Sequence, residues 1–169
     1  HGARQLLEPL NAWPGRDATP IETIHISQRG GFGRTVMDRA EYGLPALGYV
    51  VRYGKLAAAL QAQLDLAALI APAEITAITP HPDHIAVSIN EDGSKRTLRT
   101  RLLVHAEGTP GDEAQVKVRD YGQHAVIAEV QPEPAHGQRA WERFTPDGPL
   151  ALLPLGEAFS VVFTVSPEK

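Results

Sequence analysis

Two short segments contain residue types that could bind a ligand. Residues 29–35 read R-G-G-F-G-R-T, and glycines between arginines could form a phosphate-binding loop. No helical pattern follows, so the segment lacks the helix N-terminus that receives anions in nucleotide-binding motifs. We interpret it as a flexible connection between strands. His81-Pro82-Asp83-His84 has ligands at a spacing that a metal ion could use, but its proline and its position between two strand-like runs favour an exposed turn.

The remaining candidates do not form a catalytic set. Four isolated histidines lie on strand-like or loop segments: His25, His105, His124 and His136. No G-x-S-x-G motif or similar nucleophile context accompanies them, so we nominate no catalytic residue and no metal ligand. Four aromatic residues alternate along the last strand-like runs: Trp141, Phe144, Phe159 and Phe163. This alternation is typical of a sheet core, and pocket lining is the alternative.

Composition limits the classes of protein that the chain can represent. With 169 residues, 43% of them hydrophobic, it can bury one core of ordinary size. Lys+Arg 16 against Asp+Glu 20 gives a net charge of -4 without a basic cluster, so no nucleic acid partner is expected. No cysteine is present, which excludes disulfides. No apolar run approaches the roughly 18 residues of a membrane span, so the sequence predicts a soluble piece, and we expect it to be part of a longer chain.

Residue periodicity predicts two helices and several strands. Leu6, Leu10 and Trp13 recur at helical spacing before a proline. A longer helix is expected over residues 54–70, where one face carries Leu56, Leu60, Leu64 and Ala67. Period-two runs predict strands at 47–53, 74–79, 123–130, 139–144, 150–155 and 159–165, and around Ile24 and Ile26. A β-hairpin turns at residues 91–94, and its returning strand is predicted to end at Ala106.

These elements predict an α+β fold with mostly antiparallel strands. Two strand clusters, before residue 54 and after residue 120, flank a block that contains the helix and the hairpin. Neither cluster alone offers enough strands to cover an apolar face. We therefore expect the two clusters to pair with each other, and the block between them to form an excursion into a second subdomain.

An apolar run that ends on an acid and a glycine carries a family resemblance. Residues 102–111 read L-L-V-H-A-E-G-T-P-G, and we expect a strand that ends on Glu107-Gly108. The segment resembles the Asp-Gly motif of the para-hydroxybenzoate-hydroxylase-type flavin monooxygenases, where a strand delivers an aspartate and a glycine beside the flavin pyrophosphate and ribose. Three further segments resemble, within that family, the 2-octaprenyl-6-methoxyphenol hydroxylases of ubiquinone biosynthesis: I-E-T-I-H-I-S-Q-R-G-G-F-G, E-Y-G-L-P-A-L-G-Y-V-V and R-A-W-E-R-F-T-P-D-G-P-L-A-L-L-P-L.

The resemblance implies a division of the chain and a set of cofactor contacts. Residues 1–53 and 116–169 would form the substrate-binding sheet, and residues 54–115 part of an FAD-binding domain. Glu107 and Gly108 would contact the cofactor, and Arg52 is a further candidate to face the flavin, with a plain surface arginine as the alternative. The complete enzyme would use FAD, NAD(P)H and O2 to hydroxylate a polyprenylated phenol.

Departures from the family pattern leave a second function open. Glu107 replaces an aspartate, Gly111 stands where serine is usual, and Ala114 stands where many relatives have arginine. The alternative is a non-catalytic module of the same ancestry that binds a quinone-like lipid or a partner protein. The chain has neither the G-x-G-x-x-G unit nor the later Gly-Asp motif, so we expect it to bind no FAD alone and to be inactive alone.

The resemblance and the expected truncation also predict location and partners. We expect a cytoplasmic location and leave open a peripheral one at the inner membrane, where other ubiquinone-biosynthesis proteins are candidate partners. If residues 54–106 normally pack on a missing nucleotide-binding sheet, their apolar side chains need another cover. We therefore expect self-association through Leu56, Leu60 and Leu64, with packing on the local hairpin as the alternative.

Overall fold

The chain divides into two compact units in the computed structural model, which describes residues 2–106, 108 and 119–168. The first unit comprises His1–Gln63 and Asp120–Lys169, and the second comprises Leu64–Arg119. The sequence placed the boundaries earlier, at 53/54 in place of 63/64 and at 115/116 in place of 119/120. The helix that follows residue 52 therefore lies in the first unit.

The regular elements are mostly strands. The helices are α1 (Gly2–Leu7) and α2 (Tyr53–Gln61), with 3-10 turns at Gly15–Asp17, Arg39–Tyr42 and Leu66–Ala68. The strands are β1 (Ala18–Ile21), β2 (Thr23–Gln28), β3 (Arg34–Asp38), β4 (Gly48–Val51), β5 (Glu74–Pro80), β6 (Ile85–Glu91), β7 (Ser94–Thr100), β8 (His124–Val130), β9 (Arg139–Thr145), β10 (Gly148–Leu155) and β11 (Ala158–Val165). None of the helices in the described ranges is long and apolar enough to cross a bilayer.

A six-stranded sheet in the order β3-β2-β9-β10-β11-β8 dominates the first unit. Strands β8 to β11 form an antiparallel meander, whereas β2 pairs with β9 in parallel, from Thr23↔Arg139 to Gln28↔Phe144. The prediction that strands before residue 54 pair with strands after residue 120 is confirmed. The loop 29–33 connects β2 to β3, which agrees with its interpretation as a connection between strands.

The register gives this sheet two chemically different faces, because successive residues of a strand point to opposite sides. One face, the Trp141 face, carries the row Val36, His25, Trp141, Leu152 and Val161. The opposite face, the Arg52 face, carries Ile127, Glu129, Phe144, Leu153 and Val162, and is named after the residue that contacts it.

A small two-stranded sheet, β1 with β4, completes the first unit and lies against β10. Small side chains permit this close packing: Ala12 and Ala46 are almost completely buried, and Pro154 on β10 is fully buried. The Gly156 N–H donates to Thr19 Oγ1 at 2.7 Å, which ties the end of β10 to β1. The core is therefore concentrated where these strands meet β10.

The second unit is built on the three-stranded antiparallel sheet β5-β6-β7. Its hairpin turns at Asp92-Gly93, as predicted, and Val87 and Ile89 are buried. The prediction that β7 extends to Ala106 is wrong, because the strand ends at Thr100. Thr100 pairs with Ile85, the first residue of β6, so β6 offers no further partner to residues 101–106.

The predicted helix over residues 54–70 is also shorter in the structure. Helix α2 ends at Gln61, so Leu64 does not share a helical face with Leu56 and Leu60. Asp65 instead starts a 3-10 turn, in which its carboxylate accepts the Ala67 N–H at 3.0 Å. An Asp side chain that binds nearby backbone N–H groups competes with helix continuation.

The backbone at position 148 requires a glycine. Substitution of this glycine therefore tests the packing of the six-stranded sheet. Gly148 has φ +140, and a Cβ there would lie 1.8 Å from the Thr164 carbonyl oxygen. We expect Gly148→Ala to lower the free energy of unfolding by about 2–5 kcal/mol, through backbone strain and steric overlap. The control is Gly156→Ala, where φ is +62 but the space is open, with an expected loss of about 1–2 kcal/mol. Urea denaturation measures both, and equal losses would contradict the proposed overlap.

Candidate functional site

The best-defined polar contact in the first unit joins Arg52 to Glu129. Arg52 directly precedes α2, and Glu129 is the one acidic residue of β8. The guanidinium donates two hydrogen bonds to the carboxylate, Nη1 to Oε1 and Nη2 to Oε2, the second at 2.8 Å. This bidentate geometry fixes the plane of both groups. It connects the start of α2 to the far edge of the six-stranded sheet.

The ion pair changes the proton affinities of both partners. The hydrogen bonds from Arg52 lower the pKa of Glu129, against a smaller opposing effect of desolvation. The hydrogen bond to Glu129 raises the pKa of Arg52. Both side chains are about half exposed, at 51% and 48%, so solvent screens the interaction. The pair therefore orients the two elements more than it stabilises them.

Apolar side chains share the Arg52 face with Glu129. Ile127 is 69% exposed and Phe144 is 49% exposed, whereas Leu153 and Val162 are half-buried. Exposed residues of this size on one face mark a surface that binds a ligand or another protein segment. The face offers an apolar surface beside one fixed ion pair.

A cleft of about 350 Å³ opens on the Trp141 face. Phe159 forms its buried wall, and the Arg139 guanidinium lies 5.6 Å from the Trp141 ring centre. His136 is held in one orientation, because its Nε2 lies 2.6 Å from the Gly156 carbonyl oxygen and its Nδ1 accepts the Gln138 N–H. Trp141 and Phe159 therefore line a cleft, which was the alternative to a core position for the alternating aromatic residues.

A second hollow, of about 270 Å³, lies between α1, β4 and α2. Arg4 donates to Glu8 at 2.7 Å and to the Tyr49 hydroxyl. Trp13 packs edge-on against Tyr49, with 5.0 Å between ring centres. The two polar groups that line this hollow, the Arg4 guanidinium and the Tyr49 hydroxyl, are hydrogen-bonded to each other. The hollow is therefore a packed junction that holds α1 against β4.

The other predicted site residues are not joined to Arg52. Glu107 lies outside the described residues. Gly108 is exposed, has φ +88, and has open space where a Cβ would lie. Before it, Leu102 and Val104 are 73% and 70% exposed, so they do not form the buried strand expected there. His81-Pro82-Asp83-His84 forms the predicted turn between β5 and β6, and no cluster of three metal-binding side chains occurs in the described ranges.

Comparison with known sequences places the chain in a protein family. The chain is 33% identical to ubiquinone hydroxylase UbiL of Rhodospirillum rubrum over 95% of its length, and 32% identical to 3-demethoxyubiquinol 3-hydroxylase of Escherichia coli over 97%. The chain is a homologue of the hydroxylases of ubiquinone biosynthesis. It spans 39% and 44% of the lengths of these two hydroxylases. No protein-family model matches the sequence.

Solved structures show the fold of the hydroxylase homologue. A flavoprotein/dehydrogenase from Cytophaga hutchinsonii aligns with a TM-score of 0.69 at 13% identity, over 99% of this chain and 44% of that chain. The p-nitrophenol 4-monooxygenase PnpA from Pseudomonas putida aligns with a TM-score of 0.64 at 14% identity, over 90% and 42%. The six-stranded sheet with its interposed second unit is thus an arrangement found in flavoprotein and monooxygenase structures.

Two residues of the hydroxylase homologue that were nominated for flavin contact, Arg52 and Gly108, lie in different surroundings. The Arg52 guanidinium is already bonded to Glu129, and Gly108 has no neighbour within 4 Å of the position that a Cβ would take. Sequence reasoning nominated Arg52 but missed Glu129. A single acid within the apolar run A-V-I-A-E-V was the available signal, because a charge in such a strand usually has a partner.

The lowered pKa of Glu129 predicts how acid affects the hydroxylase homologue. Because the folded-state pKa lies below the ordinary value of 4.5, the ion pair stabilises the fold fully above that pH and is lost as pH falls through the lowered pKa. Glu129→Gln should therefore destabilise the chain at neutral pH, and the difference should vanish in acid. Urea midpoints across this pH range measure it.

The matched control for this test is Glu142→Gln. Glu142 lies on the Arg52 face as well, and it forms no ion pair within the described ranges. A pH-dependent loss of the same size in this control would show that the effect does not come from the Arg52–Glu129 pair.

Proposed function

We propose that the chain is part of an FAD-dependent aromatic-ring monooxygenase that hydroxylates a polyprenylated phenol in ubiquinone biosynthesis. The observation that carries this proposal is its identity of 33% and 32%, over 95% and 97% of its length, to two hydroxylases named for ubiquinone and demethoxyubiquinol. The fold agrees, since the same arrangement occurs in a p-nitrophenol monooxygenase.

The role of the first unit is to bind the phenol ring and exclude water from it. The Arg52 face supplies an apolar surface through Ile127, Phe144 and Leu153. An electron-rich ring gains free energy by leaving water for such a surface. Water exclusion also protects a reactive oxygen donor from side reactions. The Arg52–Glu129 pair holds the start of α2 beside this face.

The cofactors belong to the complete enzyme. When bound, FAD supplies the activation of O2 that protein side chains cannot provide, and NAD(P)H supplies the electrons. Arg52, Glu107 and Gly108 remain our candidates for contact with the flavin, and this role requires Arg52 to exchange Glu129 for a cofactor group. We nominate no acid or base for the reaction. Residues 1–53 and 116–169 would cover the substrate, and 54–115 would adjoin the flavin.

Partners and location follow from the substrate. A polyprenylated phenol resides in lipid, so a cytoplasmic protein must meet it at the inner membrane surface. Leu60 and Leu64 are 40% and 53% exposed, which supports the proposal that the isolated chain self-associates or meets other ubiquinone-biosynthesis proteins through this segment.

The 169-residue chain alone should not retain FAD. The described residues offer the pyrophosphate no glycine-rich helix N-terminus, which is the main anion-binding element of FAD folds. After incubation with FAD and desalting, the protein should be colourless, without the yellow of bound flavin. A stoichiometric yellow complex would show that the chain contains a complete flavin site.

A chimera tests the proposed activity. The matching segment of the Escherichia coli 3-demethoxyubiquinol 3-hydroxylase, 32% identical over 97% of this chain, is replaced by the present sequence. The chimera is expressed in a strain that lacks that hydroxylase. We expect ubiquinone to reappear in lipid extracts, because the chain supplies the substrate-covering sheet.

A variant of the chimera provides its control. Phe144→Asp places a charge on the Arg52 face and should abolish ubiquinone formation, whereas Leu10→Asp, which places the same charge at an exposed turn after α1, should retain it. A folded, FAD-loaded chimera that forms no ubiquinone would refute the proposed activity and favour the non-catalytic module.

A further inference from the structure

The loop between β2 and β3 has features that the proposed hydroxylation does not use. Residues 29–34, here called the hairpin tip, read R-G-G-F-G-R. Phe32 is fully exposed, more than any other large apolar residue in the described ranges. An exposed phenylalanine forgoes the free energy of burial. Such a side chain at the end of a hairpin is positioned to enter an apolar phase outside the protein.

The backbone of the hairpin tip holds Phe32 away from the sheet. Gly30 and Gly33 have φ of 74 and 113, a region that favours glycine. The Gly31 N–H donates to the Gln28 carbonyl oxygen at 3.3 Å, which closes a turn directly after β2. The loop therefore reverses before it reaches Phe32, and the ring is left without protein contacts to bury it.

Three arginines surround the base of the hairpin tip. Arg34 and Arg143 both pair with Ser27, one on each side of β2, so their Cα atoms lie about 10 Å apart on the same face. Arg29 lies beside them, because its N–H donates to the Phe144 carbonyl oxygen at 2.8 Å. All three side chains are exposed, and none forms an ion pair with a carboxylate in the part of the chain that the structure describes.

This cluster differs in charge from the chain as a whole. The net charge is -4, so an anionic membrane repels most of the molecule and attracts it at a local cationic site. Arginine pairs with phosphate in a bidentate manner, and apolar side chains such as phenylalanine insert at the boundary between headgroups and acyl chains. A protein partner would require a shaped groove, whereas one apolar tip ringed by cations suits a fluid anionic surface.

We propose that the hairpin tip, together with Arg143, is a docking element for an anionic phospholipid surface, with Phe32 inserted among the lipids and Arg29, Arg34 and Arg143 bound to lipid phosphates. The inference stands apart from the proposed hydroxylation, because membrane binding needs neither flavin nor substrate. It also gives the first unit a defined orientation at the membrane, with the end of β2 toward the lipid.

Vesicle co-sedimentation of the 169-residue chain tests the proposal. The probes are vesicles of phosphatidylcholine alone and of an equal mixture of phosphatidylcholine and phosphatidylglycerol. We expect binding only to the anionic vesicles. Phe32→Ala should weaken it about tenfold, and Arg29→Gln and Arg34→Gln should weaken it about fivefold each. Phe32→Trp should retain binding and gain a blue-shifted emission that brominated lipids quench.

Matched variants control for loss of charge and of apolar area. Arg16→Gln removes an exposed arginine elsewhere, and Leu66→Ala removes an apolar side chain that is 75% exposed. Both should bind anionic vesicles like the unchanged chain, and circular dichroism checks that every variant is folded. Absence of binding, equal binding to neutral vesicles, or equal losses in the two controls would each overturn the proposal. If the chain instead binds a protein through Phe32 and ignores vesicles, the surface is a protein interface and the lipid proposal is wrong.

Discussion

The parallel pairing of β2 with β9 is the contact on which the rest of the structure depends. It joins two segments that are distant in sequence, through a register that runs from Thr23↔Arg139 to Gln28↔Phe144. Backbone hydrogen bonds extend it at both ends, from Glu22 N–H to the Gln138 carbonyl and from Arg29 N–H to the Phe144 carbonyl, each at 2.8 Å. Closing so long a loop costs chain entropy, and this continuous ladder offsets that cost.

The same pairing explains why the chain has a second unit. Parallel neighbours require a crossover connection, because the end of the first strand and the start of the second lie at opposite ends of the sheet's strands. Here the connection contains β3, β4, α2 and the whole of Leu64–Arg119. A long connection can carry a folded unit of its own at little extra entropic cost. The hairpin β6-β7 needs only local contacts, so the second unit folds within the crossover.

The sequence predicted those elements whose signals are local. The runs that became β8 to β11 alternate strongly and are separated by turn residues, so their existence and antiparallel order could be anticipated. Strand β1 was missed because it has four residues and contains Pro20, and β3 was missed because an edge strand has one neighbour and exposed residues at Arg34–Val36. The early end of helix α2 was missed, because helical spacing alone cannot show that the Asp65 carboxylate will bind the Ala67 N–H. The partner of Arg52 was missed since residue 129 becomes its neighbour only through the tertiary fold.

Strand alternation also explains how one sheet serves two surfaces without conflict. Arg143 and Phe144 are consecutive residues of β9, and the period of two sends them to opposite faces. Phe144 joins the apolar Arg52 face, which we assign to the phenol, and Arg143 joins Arg34 beside the hairpin tip, which we assign to the lipid surface. A substitution at either position therefore alters one surface and leaves the other unchanged, because no side chain is shared. The ladder between β2 and β9 holds the two surfaces in a constant relation, so the proposed membrane contact at the end of β2 would also orient the face that we assign to the phenol.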